Sequence, residues 1–223
     1  CIRDRCEGFP KNTIEGAKPT SHYVPRFRNI YRQETDFLRG YAAGFSASPA
    51  RVTDRRGFGA SLKKQLLETK ETGVWNVNSH MMGETIPKES NQVTVDKEKV
   101  DSWGIPLLNI NVEYDENDEK MIQDFFEQFT EMFRKAGFVN IKKNDNKRRP
   151  GNDIHEMGGV RMGKDPKTSL LNEWNQLHEC KNVFVTDGAC MTSTSTQNPS
   201  LTFMAITARA ANYAVEQMKK ELL

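Results

Sequence analysis

Apolar residues recur with a helical period over 115–135, where Met121, Ile122, Phe125, Phe126, Phe129, Met132 and Phe133 fall on one stripe. Glu116 and Asp118 stand near the start of this stretch, Arg134 and Lys135 near its end, and Gly137 comes next, so both termini of a helix are marked. An aromatic stripe at this spacing reads as core and not as a cofactor box. Elsewhere the period is two. Residues 106–114 alternate through Leu108, Ile110, Val112 and Tyr114, with Asn109, Asn111 and Glu113 opposite. Residues 74–82, 92–96 and 37–45 read as further strands, and 60–69 as a short helix with Leu62, Leu66 and Leu67 on one side. The alternation predicts an antiparallel sheet with one wet face. Residues 1–25 are polar and turn-rich and read as an irregular lead-in. A polar stretch at 144–153, with Arg148, Arg149, Pro150 and Gly151, places a boundary between residues 1–150 and 151–223. Beyond it come a Gly-rich turn around His155, a short strand at 182–186 and a helix starting near Pro199. That helix is expected to bury Leu201, Met204, Ala205, Ala208, Val215, Met218 and Leu222, while its small middle (Ala208, Ala210, Ala211) permits close approach of another element. The fold class is therefore α+β: an antiparallel sheet with helices on one side, and after it a strand–helix tail.

Composition narrows the classes. The 223 residues allow one or two domains with a real core, and 36% hydrophobic with 28% charged residues fits a globular protein. A net charge of +2 argues for no particular partner, and the basic run at 142–149 lacks interleaved aromatics, so it reads as a solvated loop rather than a nucleic-acid surface. No apolar run approaches the roughly 18–20 residues of a membrane helix. The chain starts at Cys1, with no initial methionine and no signal peptide, which is expected of a segment from inside something longer. Cys1 and Cys6 could pair or could be stray thiols. The four cysteines and four histidines show no metal-ligand spacing, so no metal site is expected.

Three groups of residues could carry chemistry. His155 lies in a Gly-rich turn, where backbone can pass close to a flat ligand, and a neutral imidazole near pH 7 suits an alcohol proton. Asn198 precedes Pro199, which reads first as an N-cap and then the first helical position. The same amide could touch a substrate hydroxyl, and the free N–H groups of Ser200 and Leu201 could face an anionic edge. Asp187-Gly188 ends a short apolar strand and reads, taken alone, as a turn. The tempting word Gly57-Phe58-Gly59-Ala60-Ser61-Leu62 has two glycines of a three-glycine dinucleotide fingerprint. It comes after Asp54-Arg55-Arg56 instead of a strand, so it is a plain turn and the chain has no dinucleotide fold of its own.

Two longer words carry a resemblance. They are His155-Glu156-Met157-Gly158-Gly159-Val160-Arg161-Met162-Gly163 and Thr186-Asp187-Gly188 with Gln197-Asn198-Pro199-Ser200-Leu201-Thr202; His155 and Asn198 stand 43 positions apart (198 − 155). They resemble the C-terminal end of a glucose–methanol–choline (GMC) family flavoprotein oxidoreductase. The likeness is specific over 155–214 and weaker over 83–114, where Gly83-Glu84, Pro87, Asn91-Gln92-Val93 and Asp101-Ser102-Trp103-Gly104-Ile105-Pro106 look like the family's substrate domain. Gly159 stands where a Thr is more usual. Asn198 stands where many members have His, the form of the choline, cholesterol and pyranose branches.

The resemblance implies that residues 1–150 form a substrate-binding domain and that 151–223 belong with an FAD domain absent from this chain. It implies His155 as the base that takes a hydroxyl proton while the carbon's hydride moves to the flavin, and Asn198 as a hydrogen-bond partner of the developing alkoxide. Asp187, Gly188, Pro199 and Ser200 are then cofactor-binding, with Asp187-Gly188 against the ribityl–pyrophosphate part of FAD. The expected function is oxidation of an alcohol or sugar CH–OH in the complete protein. The expected partners are a small alcohol or sugar and the missing N-terminal FAD domain. The fragment itself is expected to be inactive and not to hold FAD. Two other readings stand beside this one: a non-catalytic carbohydrate- or polyol-binding module of the same shape, and a structural fragment whose partner carries all the chemistry.

Overall fold

A computed structural model describes residues 2–6, 21–49, 58–68, 75–145 and 154–223. The elements are β1 (Ile2–Cys6), β2 (Ser21–Val24), β3 (Tyr41–Pro49), α1 (Ala60–Glu68), β4 (Trp75–Gly83), β5 (Gln92–Val100), β6 (Pro106–Asn111), α2 (Glu116–Lys135), β7 (Lys142–Lys143), a 3-10 turn (Gly188–Cys190) and α3 (Ser200–Lys219). The chain divides into two compact units, one of Cys1–Gly83 with Glu116–Asn146, the other of Glu84–Asp115 with Lys147–Leu223. The second passage between the units comes after Asn146, and residues 84–115 cluster with the C-terminal segment. Of the polar stretch 144–153 that suggested the boundary, residues 146–153 lie outside the described residues, as do Cys1, most of the approach to the Gly57–Leu62 word, and any pairing of Cys1 with Cys6.

The first unit is a five-stranded antiparallel sheet of order β2-β3-β4-β1-β7. Parts of the expected lead-in are therefore strands: β1 and β2 both fall inside residues 1–25. Both sequences are short and largely polar, so little in the local pattern marks them as strands. α2 lies on one face of this sheet. Met121, Phe125, Phe129 and Phe133, at i, i+4, i+8 and i+12, are each at most 2% exposed, and they close on Phe37, Tyr41, Ala43 and Val77. The rings meet mostly edge to face, as aromatic quadrupoles favour. The helix stops at Gly137, which takes φ +89. Gly137 N–H bonds to Arg134 O and Phe138 N–H to Phe133 O, and the Phe138 ring packs on Phe133. This is a Schellman ending with its apolar contact. Opposite Tyr41 in the register stands Gly83, where a Cβ would come within 2.7 Å of Met121 Sδ. The other face presents Asn76, Asn78 and His80, all exposed, so the one-wet-face expectation holds for β4.

The second unit has a two-stranded antiparallel ribbon, β5-β6, that joins no other strand among the described residues. Val93, Val95, Leu108 and Ile110 face each other across it yet all remain exposed. The alternation over 106–114 predicts one buried side; here neither side is buried, and the strand ends at Asn111. Residues 182–186 are likewise not a strand. Phe184 makes one bridge to Gln176, while Leu177 N–H donates to Val183 O and Val185 N–H to Asn175 O, so the segment's hydrogen bonds go to an irregular loop.

The expectation for α3 is corrected as well. Leu201 (78% exposed), Met204, Val215 and Met218 lie on its open side, Ala205 and Ala208 are exposed too, and Leu222 lies exposed beyond the helix end. The half-buried positions are Phe203, Ile206, Tyr213, Ala214 and Gln217, with Ala210 fully buried, on the opposite stripe. A stripe of apolar residues does not say which neighbour is present, and the second unit meets α3 with Trp174, Phe184 and Asn175. The Tyr213 and Trp174 rings stack at 4.7 Å, and Arg209 Nη2 reaches Glu173 O and Asn175 Oδ1.

Candidate active site

The loop that carries His155 is clamped to the 3-10 turn. Val160 N–H donates to Ala189 O at 2.9 Å and Met162 N–H to Cys190 O at 3.1 Å. The turn itself starts at Asp187, whose carboxylate accepts from Ala189 N–H at 2.9 Å, an N-cap in all but length. Gly188 sits where the two segments touch: a Cβ there would lie 3.0 Å from Glu156 O and 3.0 Å from Met157 Sδ. The glycine is thus explained by close approach of the His155 loop. The structure brings His155, Asp187 and Gly188 into one neighbourhood, although they are some thirty positions apart in the sequence. Within the loop, Gly158 takes φ +91 and the residue before the histidine, Ile154, takes φ +65. A β-branched residue in the left-handed region is strained, by about 1–3 kcal/mol, and such strain gathers at functional sites. His155 is half-buried and Asp187 is exposed.

Behind the turn lies a buried polar lock. Asn175 is fully buried, takes φ +64, donates to Val185 O and accepts from Arg209. Cys190, 1% exposed, has its thiol held above the usual range by burial, so it is a packing residue rather than a nucleophile. A Ser169–His178 pair at 3.1 Å is also structural. The Ser169 hydroxyl donates to Asp165 O at 2.9 Å, so it accepts from the imidazole and has no proton to give it.

Asn198 and Pro199 occupy the approach to α3. Asn198 is exposed and is not the cap: Pro199 stands at that position, buried, with no side-chain cap hydrogen bond, and the helix starts at Ser200, which is exposed. The helix therefore begins one residue later than the Asn-Pro pair suggests, because proline is tolerated both at and just before the first turn. No hydrogen bond joins Asn198 to His155 among the described residues. Pro199 gives the first N–H groups of α3 no side-chain cap, and the positive end of the helix dipole suits an anionic group. A contact that sequence reasoning missed holds the preceding loop: the Ser193 hydroxyl donates to the carboxylate of Glu84, which is 7% exposed. Glu84 was visible only as part of a word; its partner stands 109 positions away. Among the described residues no cluster of three His, Cys, Asp or Glu could hold a metal ion, and no helix is long and apolar enough to cross a membrane.

Comparison with known proteins brackets this region. The family model described as GMC oxidoreductase matches residues 87–207, which include His155, Asp187, Gly188, Asn198, Pro199 and Ser200. The chain is 33% identical over 80% of its length to 2-methyl-1,2-propanediol dehydrogenase of Mycolicibacterium austroafricanum, covering 34% of that protein. It is 27% identical over 71% of its length to the fructose dehydrogenase large subunit of Gluconobacter japonicus, covering 28% of it. It is 32% identical over 50% of its length to paromamine 6'-oxidase of Streptomyces fradiae, covering 20% of it. The chain spans about a third or less of these curated relatives, and it matches the C-terminal region of the family. The His155 loop, the Asp187–Gly188 turn and the Asn198–Ser200 approach to α3 all lie within the matched span, and the chain belongs to the GMC oxidoreductase family.

Proposed function

We propose that the complete protein is an FAD-dependent oxidoreductase that oxidises the CH–OH group of an alcohol or sugar, and that this chain contributes its base. The observation that supports the reading is the double backbone clamp, through Val160 and Met162, between the loop that follows His155 and the Asp187–Cys190 turn. The diol, fructose and paromamine named for the relatives all carry hydroxyl groups, which supports an alcohol or sugar as substrate.

The residues present fit FAD in one respect that belongs to this chain. Pro199 gives the start of α3 no side-chain cap, and the amides of Ser200 and Leu201 with the helix dipole would suit an electron-rich edge. Asp187, Gly188, Pro199 and Ser200 would hold the cofactor, Pro199 through its backbone since its ring is buried. When bound, FAD supplies the acceptor for the two electrons and the hydrogen that leave the carbinol carbon. His155 takes the hydroxyl proton onto a ring nitrogen. Asn198 donates an amide N–H to the alkoxide oxygen that develops, a bond that strengthens as charge appears and therefore favours the transition state. Isolated from the rest of the protein, the chain is inactive.

The test is flavin reduction by substrate in the FAD-loaded protein. His155→Ala is expected to slow it by about 10²–10⁴-fold with a smaller change in KM, the usual weight of a positioned base. Asn198→Ala is expected to cost about 10–10³-fold, from the loss of a hydrogen bond to a charged group worth about 1.5–3 kcal/mol. Because Asn198 does not cap α3, its melting temperature should stay at the wild-type value. A His155→Ala protein that reduces its flavin at the wild-type rate overturns the assignment.

A further inference from the structure

We propose that Glu84 is a positioning residue for the segment that carries Asn198, acting through the Ser193 hydroxyl; this rests on the role given to Asn198 under the proposed function. Glutamate is seldom buried without a specific partner, and Glu84 is 7% exposed at the point where the chain leaves β4. Its Oε1 accepts from Ser193 Oγ. The same Oγ accepts from Ser195 N–H at 2.8 Å. The Ser193 proton is thus committed to Glu84, and a lone pair of the hydroxyl is left aimed at the Ser195 amide. The order of donors and acceptors is fixed from Glu84 outward.

That order acts on a segment with many competing conformations. Residues 192–196 read Thr-Ser-Thr-Ser-Thr, short hydroxyl side chains that bond their own backbone in many alternative turns. Ser195 is held at φ +57, where a residue with a Cβ does not rest unaided. Its carbonyl accepts from Thr194 Oγ1 at 3.1 Å, and Thr196 is buried. Asn198 is three residues beyond Ser195, with the buried Pro199 and the rigid α3 on its far side. Glu84 therefore supplies the accepting end of the relay that selects one turn from several, and with it the direction in which Asn198 leaves the loop. A purely structural carboxylate would act on overall stability; this one is expected to act on one loop and on turnover.

The experiment uses the FAD-loaded protein and two readouts. Amide hydrogen exchange of the 192–199 peptide is measured for Glu84→Ala, Glu84→Gln and Ser193→Ala, alongside kcat and KM. Glu84→Ala and Ser193→Ala should speed exchange at the Ser195 amide by about 10–100-fold, the opening expected when one buried hydrogen bond is lost and its partner is left unsatisfied. They should lower kcat with KM within about twofold, and Glu84→Gln, which keeps an acceptor oxygen, should restore most of both. If Glu84→Ala does not fold, Ser193→Ala cuts the same relay from its other end. Unchanged exchange overturns the relay, and faster exchange with wild-type kcat overturns the positioning role. Asn198→Ala run beside them separates the two claims. Wild-type turnover in that variant sinks the role of Asn198 and the positioning role with it, while the exchange result still decides whether Glu84 holds the loop.

Discussion

Asp124 accepts from three donors at once: Arg28 Nε at 2.9 Å, Arg28 Nη2 at 2.7 Å and the Tyr41 hydroxyl at 2.7 Å. The bidentate pair is three-quarters or more shielded, with the two side chains 23% and 15% exposed. Burial pushes the Tyr41 phenol well above its ordinary range, and the bond to Asp124 pushes it further. The bond to Asp124 likewise raises Arg28. A folded value above the unfolded one means that Tyr41 contributes stability fully below about pH 10, where unfolded tyrosine keeps its proton, and that the contribution fades as pH rises from there towards the folded value. The wild-type protein should thus lose stability more steeply above about pH 10 than Tyr41→Phe, while Tyr41→Phe should be the less stable of the two at neutral pH. Urea melts from about pH 8 to 11 check this; equal slopes would deny the phenol its role. None of this was legible in the sequence, because 96 positions separate Arg28 from Asp124 and nothing local marks either. Glu84 and Ser193 were hidden for the same reason.

At the scale of elements, α2 is where local pattern and fold agree most closely. Its apolar residues repeat with the helical period, its ends carry the favoured charges, and ion pairs Glu116–Lys120 and Glu131–Lys135 support the exposed side. Phe129 stands in the middle of the ring stack, 2% exposed, 4.6 Å from Phe125 and 6.2 Å from Phe133. Phe129→Ala should cost about 3–5 kcal/mol in urea unfolding, the usual result of removing a buried ring whose neighbours cannot collapse into the space. A loss under about 1 kcal/mol would show that the stack can repack. β5-β6 and α3 show the limit of the same reading. Val93, Val95, Leu108 and Ile110 alternate as a half-buried strand should, and Leu201, Met204, Met218 and Leu222 recur as a buried helix stripe should, yet all are exposed. Periodicity reports which residues share a face. It does not report whether this chain covers that face.

At the scale of the molecule, each unit has its own reason to cohere: the first closes a sheet under α2, and the second ties loops to α3 through Asn175, Arg209 and Trp174. No dinucleotide fingerprint occurs in the sequence, and Gly59, from the one Gly-rich candidate, takes φ +64 in a turn directly before α1 with open space around it. On the function proposed above, Asp187, Gly188 and the start of α3 would supply only one wall of a cofactor site, so the isolated chain is expected not to hold FAD. Titration of FAD into the purified chain is expected to leave the flavin spectrum unchanged; a stoichiometric yellow complex of sub-micromolar affinity would refute this.

By itself the sequence determined α2, the antiparallel character of the sheet, the family, and the words in which His155, Asp187, Gly188 and Asn198 stand. Each of these is written in neighbours a few positions apart, as a period, a cap or a motif. Only the tertiary structure decided that polar β1 and β2 join the sheet, that Gly188 is a glycine because Glu156 O passes 3.0 Å from where a Cβ would be, and that Pro199, not Asn198, holds the cap. It also decided that Glu84 grips Ser193. Strand pairing, close approach and buried hydrogen bonds all join residues that are far apart along the chain, and only folding chooses the partner.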